Sequence, residues 1–208
     1  MGGDGCTANW IYLGTGKLRG QQFIGTAKHC VSGVGEPVYL TDGPFPVSFT
    51  PTLRIGKVAY VSHALDFALV SIDRANFKYV DPSMAGYPNV PQRVGTSADT
   101  NVGDICQFSG HGVGFDGQQQ TEQSRFGLLS YSDRDQQYCD GLVSNGDSGG
   151  PVADTTAGNA AIGIVDTVGV AFVGSAGASA GEGGVALAGL LADAARHSFP
   201  IKLRTVGS

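Results

Sequence analysis

The sequence predicts an all-β fold, a barrel or a sandwich, and three observations carry that reading. Short runs rich in β-branched and aromatic residues recur along the chain. Turn residues separate them about every eight to twelve positions, a spacing typical of such folds. Only one segment shows a clear helical period. In order, "NWIYLG" (9–14), "QQFIGTA" (21–27), "PVYL" (37–40), "KVAYVS" (57–62), "FALVSI" (67–72) and "RFGLLSY" (125–131) read as strands, each bounded by Gly, Pro, Asp or Ser. Residues 79–95 carry Pro82, Pro88 and Pro91 without any period and read as a linker, so the chain divides into 1–78, a joining segment 79–98, and 99–208. Residues 168–184 are almost all small and read as a mobile loop. The helix is expected over 185–197, where Leu187, Leu190, Leu191 and Ala194 share one face and Pro200 closes it off.

Composition narrows the functions. The 208 residues suit one compact domain or two small barrels. Only 15% are charged and the net charge is -5, without a Lys/Arg cluster, which argues against nucleic acid or an anionic membrane as partner. No apolar run approaches the roughly 20 residues a membrane span needs, so a soluble protein is expected. The start "MGGDGCTANW" lacks the basic and apolar regions of a signal peptide, and any export signal is expected outside this chain. Cys6, Cys30, Cys106 and Cys139 include no C-x-x-C pair, which disfavours zinc. Four cysteines allow three pairings, and sequence order favours Cys6–Cys30 and Cys106–Cys139 in an oxidising compartment; four free thiols in a cytosolic protein are the alternative.

The chemistry begins at "GDSGGP", residues 146–151. In a chain with 33 glycines a Gly-Gly-Pro turn is common, yet this hexapeptide is expected by chance in on the order of one in a few thousand such chains. A serine hydroxyl is a weak nucleophile until a histidine takes its proton and a carboxylate orients that histidine. Of four histidines, His29 ends an apolar strand in "FIGTAKHC", His63 lies in "VSHALDFALV", and His111 and His197 read as structural or surface residues.

Together "TAKHC" (26–30), "DFALV" (66–70) and "GDSGGP" resemble the histidine, aspartate and serine segments of chymotrypsin-like serine proteases, in that family's chain order. The compact spacing is most similar to small secreted bacterial, particularly actinobacterial, members. The resemblance implies two antiparallel six-stranded Greek-key barrels with the active site between them. It assigns His29, Asp66 and Ser148 as the catalytic residues, the N–H groups of Gly146 and Ser148 as the oxyanion hole, and Asp147 as a buried structural aspartate. It implies a secreted endopeptidase with polypeptide substrates, protein inhibitors as further partners, a monomeric state, and no cofactor or metal.

The chain departs from the family pattern at several places. Gln107 stands where bacterial members carry an internal arginine that pairs with the structural aspartate, leaving Arg93, Arg125 and Arg134 as candidates. "GIVDTVG" (163–169) resembles the strand lining the substrate cleft, but places Asp166 where the family has a serine beside the catalytic carboxylate; two acids then approach and one should hold its proton longer. The pocket is expected from Leu142, Val143, Thr167, Val168, Gly184 and Ala186, with Glu182 at its rim. With no acid at Leu142, cleavage after uncharged small-to-medium or apolar residues is expected. The rival reading is an inactive protease-like binding domain. "DRDQQYCDG" (133–141) offers Asp133, Asp135 and Asp140 as calcium ligands but reads better as a solvated turn, and "GHGVGFDG" (110–117) lacks a dinucleotide-binding spacing.

Overall fold

The structure is a computed structural model that describes residues 5–42, 50–84, 90–112, 123–172 and 178–207. Its strands are β1 (Ile11–Gly14), β2 (Gln22–Thr26), β3 (Pro37–Asp42), β4 (Thr50–Val61), β5 (Ala68–Ile72), β6 (Arg93–Val94) and β7 (Ile105–Gly110). They continue with β8 (Gln123–Ser132), β9 (Gln136–Asp140), β10 (Pro151–Asp154), β11 (Ala160–Phe172) and β12 (Ala178–Ala186). Helix α1 (Leu187–Arg196) and β13 (Ile201–Leu203) complete the chain.

The first sheet runs β13-β1-β2-β5-β4-β3, every pair antiparallel. Its sixth strand, β13, returns from the far end of the sequence to pair with β1. The second sheet runs β10-β7-β8-β9-β12-β11, and β10 also pairs with β11, so these six strands close into a ring; β6 adds a parallel edge on β11. The two six-stranded β units expected from the sequence are thus present, with one C-terminal helix. Among the described residues no helix is long and apolar enough to cross a membrane.

One expectation is corrected here. Residues 168–184 read as a loop, yet β11 and β12 form an antiparallel ladder from Gly163↔Ala186 out to Phe172↔Ala178, interrupted by one register shift between Val165 and Thr167. Small side chains carry a weak strand signal because they bury little surface, but they leave the backbone ladder free to form. Residues 173–177, between these strands, and 85–89 of the expected linker lie outside the described residues, as does most of the "GHGVGFDG" segment.

Packing fixes how the halves meet. Tyr12, Phe23 and Leu69 of the first sheet share one buried cluster with Ile164 and Val185 of the second and with Leu187 and Leu190 of α1. The Tyr12 and Phe67 rings meet edge to face at 5.9 Å within it. A second cluster fills the closed ring, where Phe108, Leu129, Val152 and Val165 pack around the Cys106–Cys139 disulfide. Because the first cluster draws on both sheets, it sets their relative placement and hence the cleft between them.

Candidate active site

His29 stands in a short 3₁₀ turn, Lys28–Cys30, directly after β2. Cys30 is bonded to Cys6, so the turn is pinned to the start of the chain. Asp66 comes from the loop between β4 and β5. That loop is closed by Ser62 N–H donating to the Phe67 carbonyl (2.9 Å), while the Ser62 hydroxyl accepts from Leu65 N–H (3.0 Å). Ser62 in turn donates to Asp193 on α1 at 2.6 Å, which ties the loop to the helix.

These anchors bring two sequence-predicted residues together. Asp66 Oδ1 accepts the His29 backbone N–H at 2.8 Å, and Asp66 Oδ2 lies 2.5 Å from His29 Nδ1. An ionised carboxylate only accepts, so Nδ1 is the donor and Nε2 keeps its lone pair in the neutral ring. The imidazole is 48% exposed and lines an open surface recess with Lys28, His63 and Asp66.

Ser148 lies in a turn that only glycines could build. Gly146 and Gly149 have φ of +102° and +88°, in the left-handed region. A Cβ on Gly149 would fall 2.3 Å from the Thr7 carbonyl oxygen and 2.8 Å from Ala27 N, so this turn packs against the segment leading to His29. The Ser148 carbonyl oxygen also sits 4.0 Å from Cys30 Sγ. Among the described residues no hydrogen bond joins the Ser148 hydroxyl to His29 Nε2, and none occupies the N–H groups of Gly146 or Ser148. Catalytic hydrogen bonds are often long before substrate arrives and tighten in the complex.

Sequence reasoning missed how this turn is held. Thr7 N–H donates to the Ser148 carbonyl (2.9 Å), the Thr7 hydroxyl to the Gly146 carbonyl (2.8 Å), and Asn9 Nδ2 to the Gly149 carbonyl (2.9 Å). A segment near the start of the chain therefore clasps the serine turn from about 140 residues away in sequence. Their position just after Cys6 was the available signal. From the other side, Gly149 N–H donates to the Val165 carbonyl of β11 at 2.7 Å.

The partner of Asp147 is also settled. Asp147 is fully buried, and Arg125 on β8 grips it with both terminal nitrogens, each at 2.7 Å. Gly112 N–H and Ser144 N–H add bonds of 2.8 Å each. Gln107 cannot take that part because its own amide donates to Ser124, and the ladder sets Arg125 opposite Phe108, one position along. The guanidinium lies 5.5 Å above the Phe108 ring, a cation–π contact.

Asp166 meets Asp66 as the sequence suggested. Its carboxyl lies beside that of Asp66, an oxygen of each within 4.8 Å of the other, and its Oδ1 is 3.9 Å from His29 Nδ1. Burial first, then the bond to Asp66 and the charge of Asp66, push Asp166 up to about 8. Burial would raise Asp66 too, but the bonds from Asp166 and from the His29 ring and backbone outweigh it and hold Asp66 below the usual carboxylate range.

The expected pocket residues are more scattered. Leu142 is 62% exposed, whereas Val143 packs in the core of the closed ring. Thr167 is exposed and faces Gly183 across the ladder, with its hydroxyl 3.4 Å from the Gly183 carbonyl. Gly184 and Ala186 are buried farther along β12. The side chains of Val168 and Glu182 lie outside the described residues.

His29, Asp66 and Asp166 put their ligand-type atoms within 4.8 Å of one another, as do Cys6, His29 and Cys30. The first set is occupied in hydrogen-bonding to itself, and the cysteines of the second are joined in a disulfide, so neither arrangement calls for an ion. Asp133 accepts from Asp135 N–H (2.8 Å), Gln136 N–H (2.7 Å) and the Tyr131 hydroxyl (2.7 Å), an Asp-stabilised turn. His197 bonds to the Asp193 carbonyl at 2.9 Å, and its ring meets that of His63 at 5.3 Å.

Two solved structures are similar to this chain over most of its length. A protease of M. tuberculosis, Rv3671c, in an inactive serine-to-alanine form, superposes with a TM-score of 0.50 at 17% identity, covering 84% of this chain and 76% of that one. The HtrA-type protease AlgW with a decapeptide aligns at 22% identity with a TM-score of 0.45, covering 79% of this chain and 45% of that one, so this chain spans less than half of AlgW's length. No curated protein matches closely enough to count as a relative. The model of the trypsin family matches residues 6–187, which takes in the His29 turn, the Asp66 loop and the Ser148 turn. The chain belongs to the trypsin family, the chymotrypsin-like serine proteases.

Proposed function

We propose that this protein is a secreted serine endopeptidase that cleaves polypeptides through an acyl-enzyme, with Ser148 as nucleophile, His29 as general base and then acid, and Asp66 as its orienting carboxylate. The observation that carries this reading is the double hold of Asp66 on His29, through the backbone N–H at 2.8 Å and through Nδ1 at 2.5 Å. That hold fixes the tautomer in which Nε2 can accept the Ser148 proton and later donate it to the leaving amine. The N–H groups of Gly146 and Ser148 serve as the oxyanion hole, a contribution worth about a factor of 10² to 10³ in rate. A binding domain without activity would have no use for this arrangement, which is why the enzyme reading is preferred.

For substrate choice, cleavage after uncharged small-to-medium or apolar residues follows from Leu142, six positions before Ser148. The nearby Asp140 bonds to the Ser130 hydroxyl instead (3.3 Å). Export follows from two formed disulfides and the absence of free cysteines. The test is labelling with phenylmethanesulfonyl fluoride followed by peptide mapping, then cleavage profiling on a peptide library. Modification at Ser148 and a preference for uncharged residues are expected. Modification elsewhere overturns the assignment, and a dominant Lys or Arg preference overturns the pocket.

A further inference from the structure

Asp66 has one neighbour more than the orienting of His29 needs. It already accepts two bonds from His29, and Asp166 brings a carboxylate oxygen within 4.8 Å of one of its own. Two carboxyl groups can hydrogen-bond only if one of them holds a proton, and two carboxylates in contact in a partly buried site repel strongly. Asp66 faces two N–H donors, so it is the ionised member. Asp166 is therefore the acid, and its O–H points at Asp66.

Strand geometry places it there. The β11–β12 ladder shifts between Val165 and Thr167, so Asp166 sits at a bulge, a device that re-aims a side chain. The residue before it, Val165, accepts the Gly149 N–H of the serine turn at 2.7 Å. One irregularity in one strand thus touches both the nucleophile's turn and the orienting carboxylate.

Resting on the protease reading, we propose that Asp166 is a positioning residue: as a neutral carboxylic acid it donates the hydrogen bond that holds Asp66 against His29, and loss of that proton sets an upper pH limit on the reactivity of Ser148. A hydroxyl would give the same bond at every pH. An acid gives it only while protonated, and once ionised it sets a second negative charge against Asp66 and drives the two apart. The groups that face Asp166 are Asp66 from the β4–β5 loop and His29 from the turn after β2, and Lys28 and His63 line a recess on the far side of these two residues' own surface. β12 presents Gly184 and Gly183 opposite Val165 and Thr167, with Glu182 one step farther along, and β10 presents Pro151 and Val152 to the segment just before.

The experiment is the rate of inactivation by phenylmethanesulfonyl fluoride between pH 6 and 10, followed by mass at Ser148, for the wild type, Asp166→Asn and Asp166→Ser. Both variants keep a neutral hydrogen-bond donor. The wild-type rate should rise as His29 loses its proton and then fall roughly tenfold or more between pH 7.5 and 9.5. The variants should react within about threefold of the wild type at pH 7.5 and show no alkaline fall. A wild-type profile that stays level above pH 7.5, or the same fall in both variants, overturns the role of Asp166 and leaves the protease reading intact. Failure to label Ser148 at pH 7.5 in the wild type overturns both.

Discussion

Two aspartates of the same site, Asp147 and Asp66, are held in opposite ways. Asp147 is fully buried and answered by a permanent cation: Arg125 meets both of its oxygens, and N–H groups from Gly112 and Ser144 complete the shell. Asp66 is 23% exposed and has no permanent cation, only a titratable imidazole and another acid. The first arrangement is a closed set of bonds around one buried charge and fixes the serine turn. The second can exchange protons at every contact. A fixed charge costs desolvation and repays it with rigidity, while a proton-sharing cluster keeps the adjustable charge that base catalysis needs.

The sharpest way to separate the two is Asp66→Asn. The amide presents a donor to Nδ1, forces the wrong imidazole tautomer, and should lower kcat on the best library peptide by about 10⁴-fold. Folding should be untouched, because Asp66 is partly exposed and supports no core packing. Circular dichroism melts together with turnover check both halves. A loss of activity under tenfold would mean that His29 is oriented by something other than Asp66.

Arg125→Met should do the reverse. It leaves Asp147 as a buried, unpaired charge, and a stability loss of about 3–5 kcal/mol in urea titration is expected. Adding Asp147→Asn to the same chain should recover part of that loss, since the uncompensated charge is then gone. Equal stabilities of the single and double variants would show that the penalty comes from lost packing on Phe108 and not from charge.

The same contrast decides what could be read in the sequence. The pairing of His29 with Asp66 was legible because each sits in a short local motif, "TAKHC" and "DFALV". The strands β1, β2, β3, β5 and β8 and the second half of β4 were legible because residues such as Tyr12, Ile24, Val38, Tyr60, Val70 and Phe126 give dense β-branched and aromatic runs. The partner of Asp147 was narrowed to three arginines and no further, since only the β7–β8 register places Arg125 beside Phe108. The clasp by Thr7 and Asn9 was hidden because it joins residues about 140 apart, with no periodicity to mark it. The ladder of 168–172 with 178–184 was hidden because a run of Gly, Ala and Ser shows no alternation of large apolar and polar residues, while its strands pair through the backbone. Asp166 was legible as a departure, and its approach to Asp66 followed from the family's placing that position beside the orienting carboxylate.

A third aspartate, Asp193, tests the middle of the comparison with the smallest effect. It is buried like Asp147, but it is answered mainly by hydroxyls: Tyr60 at 2.8 Å and Ser62 at 2.6 Å, with Arg196 at 3.2 Å from an exposed position. Burial works to raise Asp193, yet the bonds from Ser62, Tyr60 and Arg196 and the nearby His197 outweigh it, so the carboxyl stays below its ordinary range. A group whose folded pKa is depressed stabilises the fold above its unfolded value, about 3.9, and that contribution is lost as pH falls through the folded value. Asp193→Asn should therefore cost about 1–3 kcal/mol at pH 7, and the gap to the wild type should narrow as urea titrations are taken from pH 5 down past pH 3. Because Ser62 carries the loop that presents Asp66, the variant should also lose several-fold in turnover while its alkaline profile is unchanged. A stability gap constant across this range would assign the anchor to packing of α1, and the loop that carries Asp66 would then be held by shape and not by charge.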